Sequence, residues 1–215
     1  MLNSSLPEAK LAAIRSLLER AAIYRAASAK SGLTAGLLSL ATAGLIYLNQ
    51  EGRVDLGLRI RGREFAMVWI GVLLASLVIA IFFLAAEARR NGRSFFSAEL
   101  QLVAAQIAPY LLVPSVFTAW FFGTGYLGGQ ELNLAVVWIA CYGLILLSIS
   151  FFAPRSLTLL GWLFLLTSIA VPLFVETMEE RFSFDIPNFL MGLTFGVYHL
   201  VYSALNWPRR SSTNN

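Results

Sequence analysis

The sequence predicts an all-α polytopic membrane protein, six transmembrane helices behind an N-terminal amphipathic cytoplasmic helix, and three observations predict it. Of the 215 residues 58% are hydrophobic and only 13% are charged, whereas a soluble domain carries about a quarter charged residues. The charges are confined to the breaks between apolar runs, the pattern of a chain that crosses a bilayer repeatedly. The last run, 187–207, also aligns its small and polar residues. Asn188, Gly192, Gly196, His199, Ser203 and Asn206 follow at steps of four, four, three, four and three, which a 3.6-residue helix places on one face. Leu190, Leu193, Phe195, Val197, Leu200, Val201 and Leu205 cover most of the rest. Such a helix turns hydrocarbon to lipid and its hydrogen-bonding seam to protein, because an unsatisfied polar group is costly in lipid.

Residues 1–31 precede the first span. Ser5, Leu6, Pro7 and Glu8 have the S-x-x-E form of a capping box with proline in the first turn, which predicts a helix start. Leu11, Ile14, Leu17, Leu18, Ala21 and Tyr24 then recur at three- and four-residue steps opposite Glu8, Arg15, Glu19 and Lys30, with Lys10 and Arg25 interrupting the apolar face. The segment is read as a helix lying on an anionic leaflet with snorkelling basic stems; packing on the bundle and a short cytoplasmic coiled coil are the alternatives. Tyr47, Leu48, Asn49 and Gln50, after the first apolar run, offer no small-residue cleavage site, so a cleaved signal peptide is not expected.

The first span, 32–48, is roughly 25 Å long as a helix, slightly short of a hydrocarbon core of about 30 Å. Gly32, Gly36, Ser39 and Ala43 repeat the four-three-four spacing of the last span, and both spans contain G-x-x-x-G. Matching small faces predict that the first and last helices pack together, with Gly36 and Ser203 at similar depth. The 49–64 loop mixes Arg53, Arg59, Arg61 and Arg63 with Glu51, Asp55 and Glu64. It reads as a solvated connection, with a short hairpin or surface strip through Val54, Leu56, Leu58 and Ile60 as the alternative. The second span, 65–86, is almost wholly apolar and faces lipid.

Glu87, Arg89, Arg90 and Arg93 mark a basic loop before the third span, 100–122. That span carries Gln101, Gln106, Pro109, Tyr110, Pro114 and Thr118. Its prolines free backbone carbonyls that need partners, which predicts a kinked, interior helix. The fourth span, 132–152, follows the glycine-rich turn 123–129, and the fifth, 157–175, contains Pro172; neither holds a charge. Glu176, Glu179, Glu180 and Asp185 then make an acidic loop. Clustered carboxylates can bind a hard cation, but these lack the ligand spacing of a calcium loop, and no metal is assigned.

Lys and Arg fix the orientation. With six spans, one side receives eleven of them and the other five, so both termini, including the tail 208–215, are expected in the cytoplasm. Trp207 before Arg209 and Arg210 fits an interfacial anchor there. In a membrane protein a pI near 9.5 reports this topology rather than nucleic-acid binding. Cys141, the single cysteine, excludes an intramolecular disulfide and reads as a small buried residue.

His199, the only histidine, lies roughly 12 Å into the membrane. A neutral imidazole there can hold a hydrogen bond, contact a cofactor or relay a proton. Gln106, at comparable depth, is the expected partner across helices, and Tyr198 and Tyr202 flank the histidine. A membrane cytochrome with two axial ligands would need a second strong ligand that a chain with one histidine lacks. There is no phosphate-binding glycine loop with lysine, no H-E-x-x-H and no pair of intramembrane carboxylates. The absence of acidic residues inside the spans also argues against proton-driven transport.

Leu18, Glu19 and Arg20 leading into Ser31 to Gly36, together with the close Gly196 to Tyr202, are similar to a group of uncharacterised bacterial six-span integral membrane proteins with a G-x-x-A-G first span and a G-x-x-H-x-V-Y ending. The resemblance covers most of the chain. It implies a sensory or regulatory role, since members of that group are often encoded beside a winged-helix regulator, and it carries over no catalytic residue. The function expected is therefore non-enzymatic: an interaction, sensory or accessory subunit of the bacterial cytoplasmic membrane, packed through the stripe of its last helix, with the lipid bilayer, further copies or other membrane subunits as partners. The alternatives are a small transporter or channel, and a subunit of a redox or photosynthetic complex contacting haem, quinone or pigment through His199.

Overall fold

The structure is a computed structural model that describes residues 29–55, 57, 60–90, 92, 98–123, 130–149, 155–181 and 185–207. The amphipathic helix expected before the first span, the turn over 124–129 and the tail 208–215 lie outside the described residues.

Every regular element among the described residues is a helix. Helices α1 (Ala29–Gln50), α2 (Arg63–Arg90), α3 (Ala98–Gly123), α4 (Glu131–Ser148) and α5 (Arg155–Arg181) follow one another, and each of the five contains a segment long and apolar enough to cross a membrane. The last apolar run is built differently, from three contiguous pieces: α6 (Ile186–Met191), a π-helical segment (Gly192–Tyr198) and α7 (His199–Asn206).

Local chemistry sets the ends. At the end of α1 the Gly52 N–H donates to the Asn49 carbonyl at 3.2 Å and the Arg53 N–H to the Leu48 carbonyl at 2.9 Å. Gly52 takes the left-handed φ of +68° that this Schellman closure requires and that side chains resist. Helix α2 has Glu64 in its first turn and Arg89 and Arg90 in its last, each opposite in sign to its end of the helix dipole. Asp185 caps α6 by accepting from the Asn188 N–H, with Pro187 in the first turn, where no N–H is missed.

Helices consecutive in sequence run antiparallel, and hydrogen bonds tie helix ends on one side. The Gly62 N–H donates to Glu131 at 2.7 Å, the Arg63 guanidinium to the Phe122 carbonyl at 3.3 Å and the Gln50 amide to Asp185 at 2.8 Å. Helix α4 is the hub. On one flank Ile139 and Leu146 pack with Leu157, Leu160 and Phe164 of α5 and with Leu190 and Tyr202 of the last run. On the other, Leu134 and Ala135 pack with Phe65 and Trp69 of α2, Phe121 of α3 and Met191. Helices α4 and α5 approach closely because both lack a side chain at the crossing: a Cβ on Gly143 would lie 3.0 Å from the Gly161 carbonyl, and one on Gly161 3.1 Å from the Gly143 carbonyl.

Three expectations need correction. Helix α3 is peripheral rather than interior: Gln106, Pro109, Leu112, Val113, Val116 and Trp120 are all exposed, and Phe121 alone of its described side chains is buried. Its hydroxyl protons are spent within the helix, Ser115 donating to the Leu111 carbonyl at 2.7 Å and Thr118 to that of Pro114 at 2.5 Å, while the Thr118 oxygen also accepts from the Trp138 indole N–H of α4 at 2.9 Å. Helix α4 stops at Ser148 instead of running to 152. The stretch 176–181, expected as loop, continues α5 through Glu176, Glu179 and Glu180 to Arg181, since Glu, Met and Arg are good helix formers once the helix clears the apolar layer.

Candidate functional site

The six residues of the last run's stripe, Asn188, Gly192, Gly196, His199, Ser203 and Asn206, are all buried. They remain on the inner side although the run changes pitch among them, the π segment carrying both glycines. A π-helix bonds i to i+5 and so takes more residues per turn; such segments are rare, short and common at functional sites.

Helix α1 covers the glycine half of this seam. A Cβ on Gly192 would stand 2.7 Å from the Cβ of Ala43, and one on Gly196 2.7 Å from Cγ of Leu40. From the other side, a Cβ on Gly36 would meet the Gly196 carbonyl at 3.0 Å and Leu200 at 2.8 Å, and one on Gly32 the Ser203 hydroxyl at 2.7 Å. Ser39 is buried on the same helix. The structure therefore joins Gly32, Gly36, Gly192, Gly196 and Ser203 in one antiparallel contact. Its register differs by a turn from the expected pairing of Gly36 with Ser203: Ser203 faces Gly32, and Gly36 faces the turn from Gly196 to Leu200.

The polar members are tied off individually. Asn188 accepts from the Trp69 indole N–H at 2.8 Å and donates from its amide to Asp185 at 2.9 Å, so α2, α6 and, through Gln50, α1 share one network. The Ser203 hydroxyl turns back to the His199 carbonyl at 2.7 Å. Asn206 donates to the Tyr202 carbonyl at 2.8 Å and accepts from Ser156 of α5 at 2.7 Å.

His199 sits where α4, α5 and the last run meet. Its Nε2 is 2.8 Å from the Tyr142 hydroxyl. Its ring packs with those of Tyr142, Phe164 and Phe195 at centroid distances of 5.5, 5.6 and 6.1 Å. Tyr198, 5.6 Å from Phe164, pairs its hydroxyl with Thr167 at 2.9 Å. The carbonyls of Thr194 and Phe195 in the π segment lie close to the imidazole, yet Nδ1 closes no hydrogen bond and is the one buried side-chain polar atom among the described residues without a partner. Chemically, this is an imidazole clamped by one hydroxyl in an aromatic enclosure, which fixes three helices in register.

Gln106, the expected partner of His199, stands elsewhere, exposed on α3; Tyr142 holds the position instead. The sequence reading also passed over Trp69, Ser156, Gly143 and Gly161. The sequence signal for Tyr142 and Gly143 is that they are the one tyrosine and the one glycine of α4, adjacent within its apolar run. Comparison with models of protein families, with curated proteins and with solved structures found no match for this chain.

Proposed function

We propose that the chain is a six-span integral protein of a bacterial cytoplasmic membrane that acts without catalysis as an interaction, sensory or accessory subunit. Continuous helix from Ile186 to Asn206, roughly 30 Å at the rise of an α-helix, supports a sixth crossing. The charge asymmetry supports cytoplasmic termini, and residues 1–31 would then lie as an amphipathic helix on the cytoplasmic leaflet. The resemblance to bacterial six-span proteins adds the sensory or regulatory colour.

The single observation that favours an interaction subunit over a channel or transporter is the fate of the last helix's polarity. Asn188, His199, Ser203 and Asn206 spend their side-chain bonds on neighbouring helices or on their own backbone, and His199 lies among aromatic rings rather than along a polar path. Native mass spectrometry of protein gently extracted from its own host tests this. A second polypeptide or a homo-oligomer is the expected result. A bare monomer that conducts solute in proteoliposomes would replace the reading with transport.

The partnerless Nδ1 of His199 favours one second reading, contact with haem, quinone or pigment in a redox or photosynthetic complex. The visible absorption spectrum of the same preparation, taken with wild type and His199→Ala, decides it. A chromophore that vanishes in the variant would establish that reading.

A further inference from the structure

In α3, Gln106, Pro109, Val113, Val116 and Trp120 recur at steps of three, four, three and four, and all five are exposed. A 3-4 recurrence draws the seam of a coiled-coil contact, with Gln106, Val113 and Trp120 at one kind of position and Pro109 and Val116 at the other. Exposed large side chains that suit lipid run along α2 with Leu74, Val78 and Phe82 and also make up part of this stripe, with Val113, Val116 and Trp120. Gln106 sets the stripe apart. Gln106 carries a carboxamide, and among the described residues nothing bonds it. One turn on, Pro109 has no N–H to offer the Ala105 carbonyl. A carboxamide with no partner among the described residues and a carbonyl deprived of its i+4 donor, side by side on an outward helix face in hydrocarbon, call for a protein partner with both a donor and an acceptor at that depth.

The geometry points to a parallel homodimer in which the α3 helices of two copies meet along this stripe and their Gln106 carboxamides pair across the two-fold axis. Two copies inserted the same way in one membrane can be related by an axis along the membrane normal, which sets α3 parallel to its twin with each Gln106 at equal depth. A carboxamide both donates and accepts, so it complements itself; the second N–H of each then reaches the Ala105 carbonyl freed by Pro109. A single polar residue on a parallel seam fixes register and copy number. Val113 and Val116 supply packing, and Trp120 closes the far end of the seam. The proposal rests on the membrane-spanning reading given above and deepens it by naming a second copy as partner.

The test uses the full-length chain in bacterial membranes in a Cys141→Ala background, with single cysteines from Gln106→Cys, from Val113→Cys and, as a lipid-facing control on α2, from Phe82→Cys. Carbonate washing comes first: release of the chain from washed membranes would overturn the membrane reading, whereas retention leaves the dimer alone at issue. Under mild oxidation, covalent dimers are expected from Gln106→Cys and Val113→Cys and not from Phe82→Cys. Equal cross-linking at all three, none at either α3 position, or capture of a different polypeptide would overturn the proposal. In the second arm, subunits are counted by single-molecule photobleaching in bilayers. There Gln106→Leu is expected to raise the dimer dissociation constant about tenfold, as loss of a reciprocal pair of intramembrane hydrogen bonds implies. An unchanged constant would count against the carboxamide pair, and Val113→Cys, which keeps Gln106, reports on the interface independently.

Discussion

The Tyr142 hydroxyl lies 2.8 Å from Nε2 of His199, across 57 residues of sequence, and this bond joins the hub helix α4 to the last helix at the centre of the molecule. Tyr142→Phe removes it and leaves the imidazole with no side-chain partner at either nitrogen. A loss of about 1–3 kcal/mol is expected, the cost of a stranded buried polar group. Combining Tyr142→Phe with His199→Leu should recover part of that loss, because nothing polar is then left unpaired. Unfolding in bicelles by steric trapping, run as a double-mutant cycle, measures both terms; a double variant worse than the sum of the singles would remove the bond from its assigned place.

Small residues hold α1 against the last helix, and the contact is position-specific. A Cβ at Gly36 meets a backbone carbonyl at 3.0 Å, whereas one at Gly44 on the same helix meets nothing within 4 Å. Gly36→Val should therefore destabilise by about 1–3 kcal/mol through overpacking, with Gly44→Val close to neutral. The pair is compared by thermal aggregation of the detergent-solubilised protein, where equal midpoints would contradict the packing.

Register between those helices is set to within one turn. In a Cys141→Ala background, Gly32→Cys with Ser203→Cys is expected to form a disulfide readily, since the position of a Gly32 Cβ lies 2.7 Å from the Ser203 hydroxyl. Gly36→Cys with Ser203→Cys, displaced by a turn, should form it slowly if at all. Gel mobility after oxidation and proteolytic cleavage between the two sites distinguishes the outcomes.

Asn188 holds the opposite end of the last run by accepting from Trp69 and donating to Asp185. Asn188→Leu strands the buried indole N–H and should cost about 1–3 kcal/mol. With the other four tryptophans replaced by Phe, Trp69 emission should also shift as its hydrogen bond is lost. Unchanged emission would show that the indole does not depend on Asn188.

Much of this architecture was legible in the sequence, for a reason particular to bilayers. Water is absent from the hydrocarbon, so length and apolar content alone mark helices able to cross it, and five of the expected spans are such helices within a few residues of their expected ends. The stripe on the last run was legible too, because a polar or small residue recurring every three or four positions must share a face. A stripe names a face and is silent about what lies opposite. Its residues are all buried, but no periodicity could say that His199 meets Tyr142 rather than Gln106.

What the sequence by itself determined is thus the helices, their approximate limits and the inward face of the last one, all consequences of local composition and of the missing solvent. Only tertiary structure decided the one-turn register of Gly32 on Ser203 and the crossing of α4 and α5 at Gly143 and Gly161. The π-helical pitch of Gly192–Tyr198 and the outward placing of α3 were decided there as well. Each depends on atoms far apart in the chain finding space and hydrogen-bond partners at the same time, and that condition is written in the packing of all the helices together rather than in any one of them.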